Sequence, residues 1–391
     1  MPERPRMLIL SLSPLASDAR VLKQIRGFAR EYEVTTCGFG PSPHPHVEHL
    51  EITRASAPRP TRAGRLLGEV RTVLRRYRRL YWSNSDVREA DALLEGRAFD
   101  VVLANDLDTA PLAMKHFPPS RVHLDLHEYW PRLRDEDRKW MLFRGPYYSW
   151  LCRRYAARAA STTTVGRRIA AEYARRFGFE PELVLNASPG KDLRPGPVTE
   201  PVRLVFSGVA DRTRGLETII GAVAATSSDL TLDLFLVPGP PAYMDELRAL
   251  AGRSGSRVVI REPLPYDELV EALNGYDLGV YMPVMRGFNS VNALPNKLFD
   301  FAQARLGILV GPAPEMSAMV REEGIGEVVP GTEVADLVKI LDRLAVDEVA
   351  AWKQHADAAA GRLSAERQQH VWEAAVRRIV DAGRTAPVTE R

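Results

Sequence analysis

Short apolar runs alternate with segments of helical periodicity through the first half of the chain. Met7–Ser11 is an apolar run of strand length, and Ser17 or Asp18 can cap a helix that reaches about Arg30. Further strands are predicted at Val34–Cys37, Val101–Leu103, Val122–Asp125, Ser161–Val165 and Leu183–Leu185, with helices at Asp108–Lys115 and Gly166–Phe177. This alternation is typical of a parallel, doubly wound sheet.

The same alternation restarts after Ser188–Pro201, a segment rich in proline and glycine that we interpret as a linker between domains. Strands are predicted at Arg203–Ser207, Leu232–Val237, Val258–Ile260, Leu278–Tyr281 and Ile308–Val310. Helices are predicted from Gly215 and at Tyr243–Ala251, Tyr266–Leu273, Asn296–Arg305 and Pro314–Glu322, and two more helices over Val349–Ala382. The pattern predicts an α/β protein with two Rossmann-like domains, at residues 1–190 and 200–365, followed by a terminal helix at 366–385. Ligands bind beyond the carboxyl ends of such strands, so two domains of this kind that face each other predict a central cleft.

One segment departs from the alternation. Residues 62–82 contain seven arginines and one acidic residue, and Leu66, Val70, Val73 and Tyr77 recur at helical spacing. We predict a basic amphipathic helix. Two interpretations stay open, namely contact with an anionic membrane surface, where each basic residue contributes about 1 kcal/mol, and ordinary packing on the first domain with solvated arginines.

Composition limits the class of protein. The net charge of +3 over 391 residues does not favour a polyanion binder, so no nucleic-acid partner is predicted. Cys37 and Cys152 match no metal or redox spacing and indicate a reducing compartment. The apolar run near the start is short and ends at Pro14, which favours a first strand over a signal peptide. With no apolar run of membrane-spanning length, we expect a cytoplasmic protein.

The segment Gly287–Ala302 is a polar loop that leads into an amphipathic helix. A helix start of this kind offers unpaired N–H groups and a positive dipole end, which favour phosphate. Lys297 adds a positive charge there, and Asp300 can accept hydrogen bonds from ribose hydroxyls. The alternative interpretation is an ordinary capped surface helix.

A second loop of the same predicted domain strengthens the phosphate interpretation. In Phe206–Glu217 a strand leads into a turn of small residues, where Gly208 permits close backbone approach and Arg214 can bind phosphate bidentately. Arg214 and Lys297 together would suit a diphosphate.

Four groups of residues carry a resemblance to a known family. They are Asp125–Pro131, Ser207-Gly208 with Arg214–Glu217, Leu294–Asp300, and Val165–Ala170 with Asn186-Ala187. In order and spacing they resemble the family-four retaining glycosyltransferases, which have the two-domain GT-B architecture and use nucleotide-sugar donors. The resemblance implies that the terminal helix crosses back to the first domain.

The resemblance also implies roles for individual residues. Arg214 would hold the donor diphosphate, Asp300 would bind the ribose in place of a family glutamate, and His127 would lie near the transferred sugar. We therefore predict His127, Arg214 and Lys297 as catalytic. The predicted donor-binding residues are Gly208, Arg214, Phe288, Asn289, Asn292, Leu294, Pro295, Asn296, Lys297 and Asp300. The predicted acceptor-side residues are Asp18, Arg20, Asp106, His127 and Glu128.

The chain departs from the family pattern at several positions. Asn292 stands where the family often has a second glutamate, and Val209 stands where a basic residue often follows the glycine. Arg212 or Lys297 would compensate for Val209. Arg305 and Gly307 stand where the family has Gly and Pro. These departures leave a catalytically silent homologue open.

Metal-dependent chemistry is not favoured. Asp106-Leu-Asp108 resembles the Asp-x-Asp motif of metal-dependent transferases, but a loop lining the acceptor side or a helix cap is the simpler interpretation. No second histidine stands at ligand spacing from His127, so no metal is predicted. His127 is left as a polar positioning residue, a structural residue or a general base.

The sequence and the resemblance together predict a retaining, metal-independent glycosyltransferase without a cofactor. Its donor would be a UDP- or GDP-type nucleotide sugar, and its hydroxyl acceptor a polysaccharide or glycolipid intermediate or a secondary metabolite. The basic segment 62–82 mildly favours a lipid-linked acceptor at the inner face of the cell membrane. The alternatives are a catalytically silent GT-B partner protein and a GT-B nucleotide-sugar epimerase. No carboxylate pair suited to double displacement is evident, which favours front-side attack.

Overall fold

The computed structural model describes residues 4–53, 68 and 70–385. These residues form two compact units. Unit 1 contains the described residues up to Val184, together with Gly287–Asn289 and those from Gln369 onward, and unit 2 contains Leu185–Arg286 and Ser290–Gln368. No helix within the described ranges is long and apolar enough to cross a membrane.

Unit 1 is built on a seven-stranded parallel sheet. Its strands are β1 (Arg6–Pro14), β2 (Glu33–Phe39), β3 (Glu48–Ile52), β4 (Val101–Asn105), β5 (Val122–Leu126), β6 (Ser161–Thr164) and β7 (Glu182–Leu183). Its helices before Val184 are α1 (Ala19–Phe28), α2 (Tyr77–Tyr81), α3 (Ser85–Leu94), α4 (Ala110–His116), α5 (Arg138–Arg154) and α6 (Arg167–Phe177). The strand order is β3-β2-β1-β4-β5-β6-β7, so the order reverses between β1 and β4.

Apolar side chains cover both faces of this sheet, as expected for a parallel sheet between two helical layers. Leu8 and Val102 point into one core, which also contains Tyr147 of α5. Met7 and Leu103 point into the other core. That second core is completed by Trp372, Val376, Ile379 and Val380, near the end of the chain.

Unit 2 has a six-stranded parallel sheet. Its strands are β8 (Val202–Val209), β9 (Leu230–Val237), β10 (Val258–Arg261), β11 (Leu278–Tyr281), β12 (Gly307–Val310) and β13 (Gly326–Val328). The remaining helices, in chain order, are α7 (Leu216–Ala225), α8 (Pro241–Arg253), α9 (Tyr266–Leu273), α10 (Gly287–Val291), α11 (Asn296–Gln303), α12 (Pro314–Glu323), α13 (Val334–Leu341), α14 (Val346–Ala360) and α15 (Ala365–Thr385). The strand order β10-β9-β8-β11-β12-β13 reverses between β8 and β11, which places the topological switch point beside the end of β8.

The prediction of an α/β protein with two Rossmann-like domains is confirmed, and most of α15 belongs to unit 1 as the resemblance implied. The prediction of one continuous basic helix is wrong. Residues 70–73 are helical, but the helix breaks at 74–76, where Arg75 has a φ of 51°, before α2 begins at Tyr77. A residue whose backbone lies in the left-handed region cannot continue a right-handed helix. Residues 62–67 and 69 of that prediction lie outside the described residues.

Candidate functional site

A cavity of about 510 Å³ lies in unit 2 at the carboxyl ends of the strands. Its walls come from the ends of β8 and β9, the loop before α9, and the first turns of α11. The lining residues are Ser207, Gly208, Val209, Arg214, Phe235, Val237, Pro263, Leu264, Tyr266, Leu269, Pro295, Asn296, Lys297 and Asp300. The cavity therefore lies where ligands bind in open α/β sheets.

Two glycines fix the backbone around Arg214. Gly208 has a φ of 148°, and Gly215 a φ of 68°, which side-chain-bearing residues rarely adopt. A Cβ at Gly215 would lie 1.7 Å from the carbonyl oxygen of Met282. The turn that carries Arg214 therefore packs directly on the chain after β11, and only glycine permits that approach.

Lys297 and Arg214 bring two positive charges to this cavity. Lys297 Nζ lies 4.6 Å from the ring centroid of Tyr281 and 5.2 Å from that of Phe206. Arg214 donates from Nη1 to the Tyr281 hydroxyl at 3.0 Å, while its buried Nε has no hydrogen-bond partner. Neither side chain forms an ion pair within the described part of the chain.

The electrostatics of Lys297 follow from this placement. Burial, together with the nearby Arg214 charge, lowers the pKa of its ammonium to about 8, while Asp300 acts in the opposite direction. An orphaned buried donor and a cation without a carboxylate are both costly in the ligand-free protein. An anion in the cavity would relieve both costs.

Asp300 lies on α11 at the cavity wall. It is buried, and its Oδ1 accepts a hydrogen bond from Ser188 Oγ at 2.5 Å. The Ser188 contact fixes the carboxylate position from a residue 112 positions away. Pro295 and Asn296 also line the cavity, as the sequence predicted for the donor side.

The other four predicted donor-binding residues lie elsewhere. Asn292 and Leu294 are buried in unit 2 and are not part of the cavity lining, and Leu294 belongs to the hydrophobic core. Phe288 and Asn289 belong to unit 1. Asn289 accepts from the Tyr129 N–H at 2.8 Å, and the Phe288 N–H donates to Asp135 at 3.0 Å. Their donor-binding roles stay predictions.

Unit 1 has a polar cluster at the carboxyl ends of β4 and β5. His127 Nδ1 lies 3.3 Å from Asp106 Oδ2, and His127 Nε2 lies 3.4 Å from Asp125 Oδ2. Asp106 also accepts from the His127 N–H and from Trp130 Nε1, and it is held in the left-handed region with a φ of 66°. Burial acts to lower the pKa of His127, but the Asp106 and Asp125 carboxylates outweigh burial and raise the pKa above its usual value.

The remaining acceptor-side predictions have different surroundings. Arg20 is buried, where it donates to both carboxylate oxygens of Asp125 at 2.7 and 2.8 Å and to the Val184 carbonyl. Asp18 accepts from the backbone N–H groups of Arg20 and Val21 and so caps α1. Glu128 is exposed beside His127. Arg20 and Asp18 thus have contacts that hold the local structure, and Asp106 and His127 lie together, while the acceptor-side roles of all four stay predictions.

Three departures from the family pattern now have a structural description. Val209 is exposed at the cavity lining. Arg212 is paired with Glu246 and Glu217 and does not line the cavity. Of the two residues predicted to compensate for Val209, only Lys297 therefore lies at the cavity. Arg305 is buried, paired with Asp357 at 2.7 Å and bonded to the carbonyls of Gln303 and Lys191.

Sequence reasoning missed the apolar wall formed by Phe235, Val237, Pro263, Leu264 and Tyr266. The available signal was that β9 ends beside β8 and that Pro263–Pro265 follows the next strand. Within the residues described, no group of three or more His, Cys, Asp or Glu side chains is arranged to hold a metal ion.

Comparisons with known proteins agree with this architecture. No family model matches the sequence, and no curated protein sequence matches it significantly. Several solved structures match nearly the whole chain. A trehalose-6-phosphate protein from E. coli, solved with UDP-2-fluoro glucose bound, is 12% identical, with a TM-score of 0.65 over 95% of this chain and 98% of that one.

Two further solved structures match this chain over nearly its whole length. Sucrose-phosphate synthase from Thermosynechococcus elongatus is 14% identical, with a TM-score of 0.65 over 97% of this chain and 100% of that one. WaaG, a glycosyltransferase involved in lipopolysaccharide biosynthesis, is 13% identical, with a TM-score of 0.63 over 94% and 98%. At these identities the similarity establishes the fold. The chain has the two-domain GT-B fold of these glycosyltransferases.

Proposed function

We propose that the protein is a retaining, metal-independent glycosyltransferase that uses a nucleotide diphosphate sugar of the UDP or GDP type and a hydroxyl acceptor. One observation carries this proposal. Lys297 and the unpartnered Nε of Arg214 line the same cavity at the topological switch point, and neither has an anionic partner within the described residues. Two cations that form no close ion pair suit the two phosphates of such a donor.

The same two cations suit the chemistry of transfer. As the glycosidic bond breaks, positive charge develops on the sugar and negative charge on the departing nucleotide diphosphate. Preorganised donors placed where charge develops lower a barrier more than any other single effect. Arg214 is held by Tyr281 and by the Gly215 turn, so it needs no reorganisation as the charge grows.

The rest of the cavity suits a nucleoside. Its volume of about 510 Å³ falls within the usual range for ligand sites. Phe235, Val237 and Leu264 supply an apolar wall for a base, and Asp300 supplies a carboxylate for ribose hydroxyls. The UDP-2-fluoro glucose bound to the E. coli structure of the same fold supports this donor class.

Unit 1 is proposed to serve the acceptor. The raised pKa of His127 favours the protonated ring near neutral pH, so we assign it hydrogen-bond donation to sugar or acceptor hydroxyls rather than proton abstraction. Front-side attack, in which a leaving phosphate oxygen takes the acceptor's proton, then requires no protein base. Asp106 would hold His127 in place for that role.

Thermal unfolding of the full chain with UDP, GDP and their sugar conjugates tests the donor site. A nucleotide at 100 times its dissociation constant should add about 2.7 kcal/mol to the free energy of unfolding. Arg214→Ala and Lys297→Ala should reduce that gain. Arg212→Ala is the matched control, because Arg212 lies two residues away but points to Glu246 outside the cavity. No shift with any nucleotide would refute the donor site.

Product analysis tests the reaction itself. Transfer or donor hydrolysis by the purified chain, with the anomeric configuration retained in the NMR spectrum, is the expected result. An inverted product would contradict the retaining mechanism, and a nucleotide sugar with an altered configuration would favour an epimerase. Donor binding without any turnover would favour the catalytically silent partner that Asn292 and Val209 leave open.

A polysaccharide or glycolipid acceptor and peripheral attachment to the cytoplasmic face of a membrane complete the proposal. Val73 and Leu74 are exposed among Arg71, Arg75 and Arg76, which supports an anionic membrane partner for this segment. Flotation with anionic vesicles should recover the chain, and Arg75→Glu with Arg76→Glu should prevent recovery. Equal recovery of this variant and the wild type would contradict membrane attachment through these residues.

A further inference from the structure

A second cavity, of about 430 Å³, lies in unit 1 at the amino ends of the strands. Arg6 begins β1, Asp100 immediately precedes β4, and Arg121 immediately precedes β5. These three strands are neighbours in the sheet, so their preceding residues meet at one edge. Arg4 and, from the end of α15, Arg384 complete what we call the arginine cavity.

The charge of the arginine cavity is strongly one-sided. Four guanidinium groups line it against one carboxylate, Asp100, and that carboxylate already accepts the Arg6 backbone N–H at 2.8 Å. The resulting charge of +3 equals the net charge of the whole chain. None of the four arginines forms an ion pair within the described residues. Asp100 in the cavity and Glu48, which interacts with Arg6 at longer range, offset only part of the repulsion among them.

Two of the four guanidinium groups are held in place by one residue. The Arg6 guanidinium lies over the Phe99 ring, 5.4 Å from its centroid. Arg121 donates from Nη1 to the Phe99 carbonyl at 3.1 Å. Their other donors stay available for a ligand, and a ligand that binds fixed side chains loses less affinity to ordering them.

The chemistry of the cavity selects phosphate. Guanidinium groups match phosphate oxygens bidentately, and each phosphate monoester carries a charge of about −1.5 to −2. Two phosphates would therefore neutralise the excess charge of the cavity. The nine residues of β1 separate Arg6 from the carboxyl end of the strand by about 26 Å, at roughly 3.3 Å per residue. A ligand here is thus distinct from substrates bound at the carboxyl ends of the unit 1 strands.

We infer that the arginine cavity is a second ligand site, which binds an anion bearing two phosphate groups, either a soluble metabolite or the headgroup of a phospholipid. The inference does not depend on the proposed transfer reaction.

Calorimetric titration with inorganic pyrophosphate tests this inference on the full chain. Because pyrophosphate also suits the cavity of unit 2, the titrations are made in the Lys297→Ala background. Arg6→Gln and Arg384→Gln should each weaken binding at least tenfold. Arg384→Gln is the variant less liable to disturb folding, because the Arg384 side chain has no described hydrogen bond to lose. Arg88→Gln, at an exposed arginine outside the cavity, should bind as the background does.

Flotation separates the two sources of phosphate. In the Arg75→Glu, Arg76→Glu background, vesicles of phosphatidylcholine with cardiolipin, whose headgroup bears two phosphates, should recover the Arg384→Gln variant less well than the Arg88→Gln control if the ligand is a headgroup, and equally well if it is a soluble diphosphate. The inference is overturned if Arg6→Gln and Arg384→Gln match Arg88→Gln in both pyrophosphate affinity and vesicle recovery. Failure of the proposed donor site would appear separately, as absence of nucleotide binding to the wild type.

Discussion

Replacing Lys297 by methionine should stabilise the ligand-free protein and weaken its binding of nucleotide diphosphates. Methionine keeps most of the side-chain volume and removes the charge. The lysine ammonium has no carboxylate partner within the described residues, and burial lowers its pKa from 10.5 to about 8. The cavity that it lines is therefore arranged for a ligand at the expense of stability.

The magnitude follows from that pKa. Lowering it from 10.5 to about 8 corresponds to about 3 kcal/mol of unfavourable free energy for the charged form in the folded chain. Contacts of the ammonium with the rings of Tyr281 and Phe206 stabilise the folded chain by about 1–2 kcal/mol, and methionine would lose part of this stabilisation. We expect a net gain of about 1–2 kcal/mol in the free energy of unfolding at pH 7. Loss of a hydrogen bond to a charged ligand should weaken UDP binding by about 1.5–3 kcal/mol.

Urea unfolding at pH 7, with and without UDP, measures both effects. The midpoint should rise without a change in slope, and the shift caused by UDP should shrink. Lys353→Met is the comparison variant, because Lys353 is a buried lysine that has a carboxylate partner, Asp277, at 3.2 Å. Removing that paired cation should destabilise the protein, by less than the roughly 3–5 kcal/mol expected for a wholly unpaired buried charge, because Arg203 still pairs with Asp277. A Lys297→Met protein that is less stable than the wild type, or that binds UDP unchanged, would refute the reasoning.

Three further predictions concern separate features. Between pH 8 and 10.5 Lys297 binds a proton more fully in the unfolded chain than in the folded chain, so its contribution makes the free energy of unfolding rise with pH there. UDP affinity measured by calorimetry should fall above pH 8. Lys297→Met should abolish both contributions. In chemical denaturation, Gly215→Ala should lower the free energy of unfolding by more than about 2 kcal/mol, because the new Cβ would overlap the Met282 carbonyl oxygen. Gly252→Ala, in open space on α8, should raise the free energy of unfolding by up to about 1 kcal/mol. Arg20→Met should destabilise the protein by about 3–5 kcal/mol in the same assay, because buried Asp125 loses its bidentate guanidinium partner and retains, as an ion pair, only the longer contact with His127. A change below about 1 kcal/mol would contradict the importance of this pair.

Local patterns in the sequence were sufficient for most of the fold. Buried parallel strands are short apolar runs, and these predicted the central strands of both sheets. Two of the elements that were missed lack such a signal. In β3 (Glu48–Ile52) charged residues interrupt the apolar ones, and α5 contains Pro146 and many aromatic residues, which obscure its helical period.

The candidate site was only partly predictable, because the decisive contacts join distant residues. The loops of Arg214 and Lys297 were found because glycine and helix starts have local signatures. Nothing local reveals that Asp125, 105 residues away, neutralises Arg20. The helix prediction likewise failed at 74–76, because periodicity does not report a single residue in the left-handed region such as Arg75.

The membership of α15 in unit 1 has a consequence for biosynthesis. Trp372, Val376 and Ile379 complete the core that Met7 and Ile9 begin, although more than 350 residues of chain separate them. A ribosome therefore releases all of unit 2 before it supplies the last side chains that unit 1 needs. The first unit to be synthesised is therefore the last whose core can be completed. A nascent chain that stalls before residue 369 would leave one face of its first sheet only partly covered, by α1.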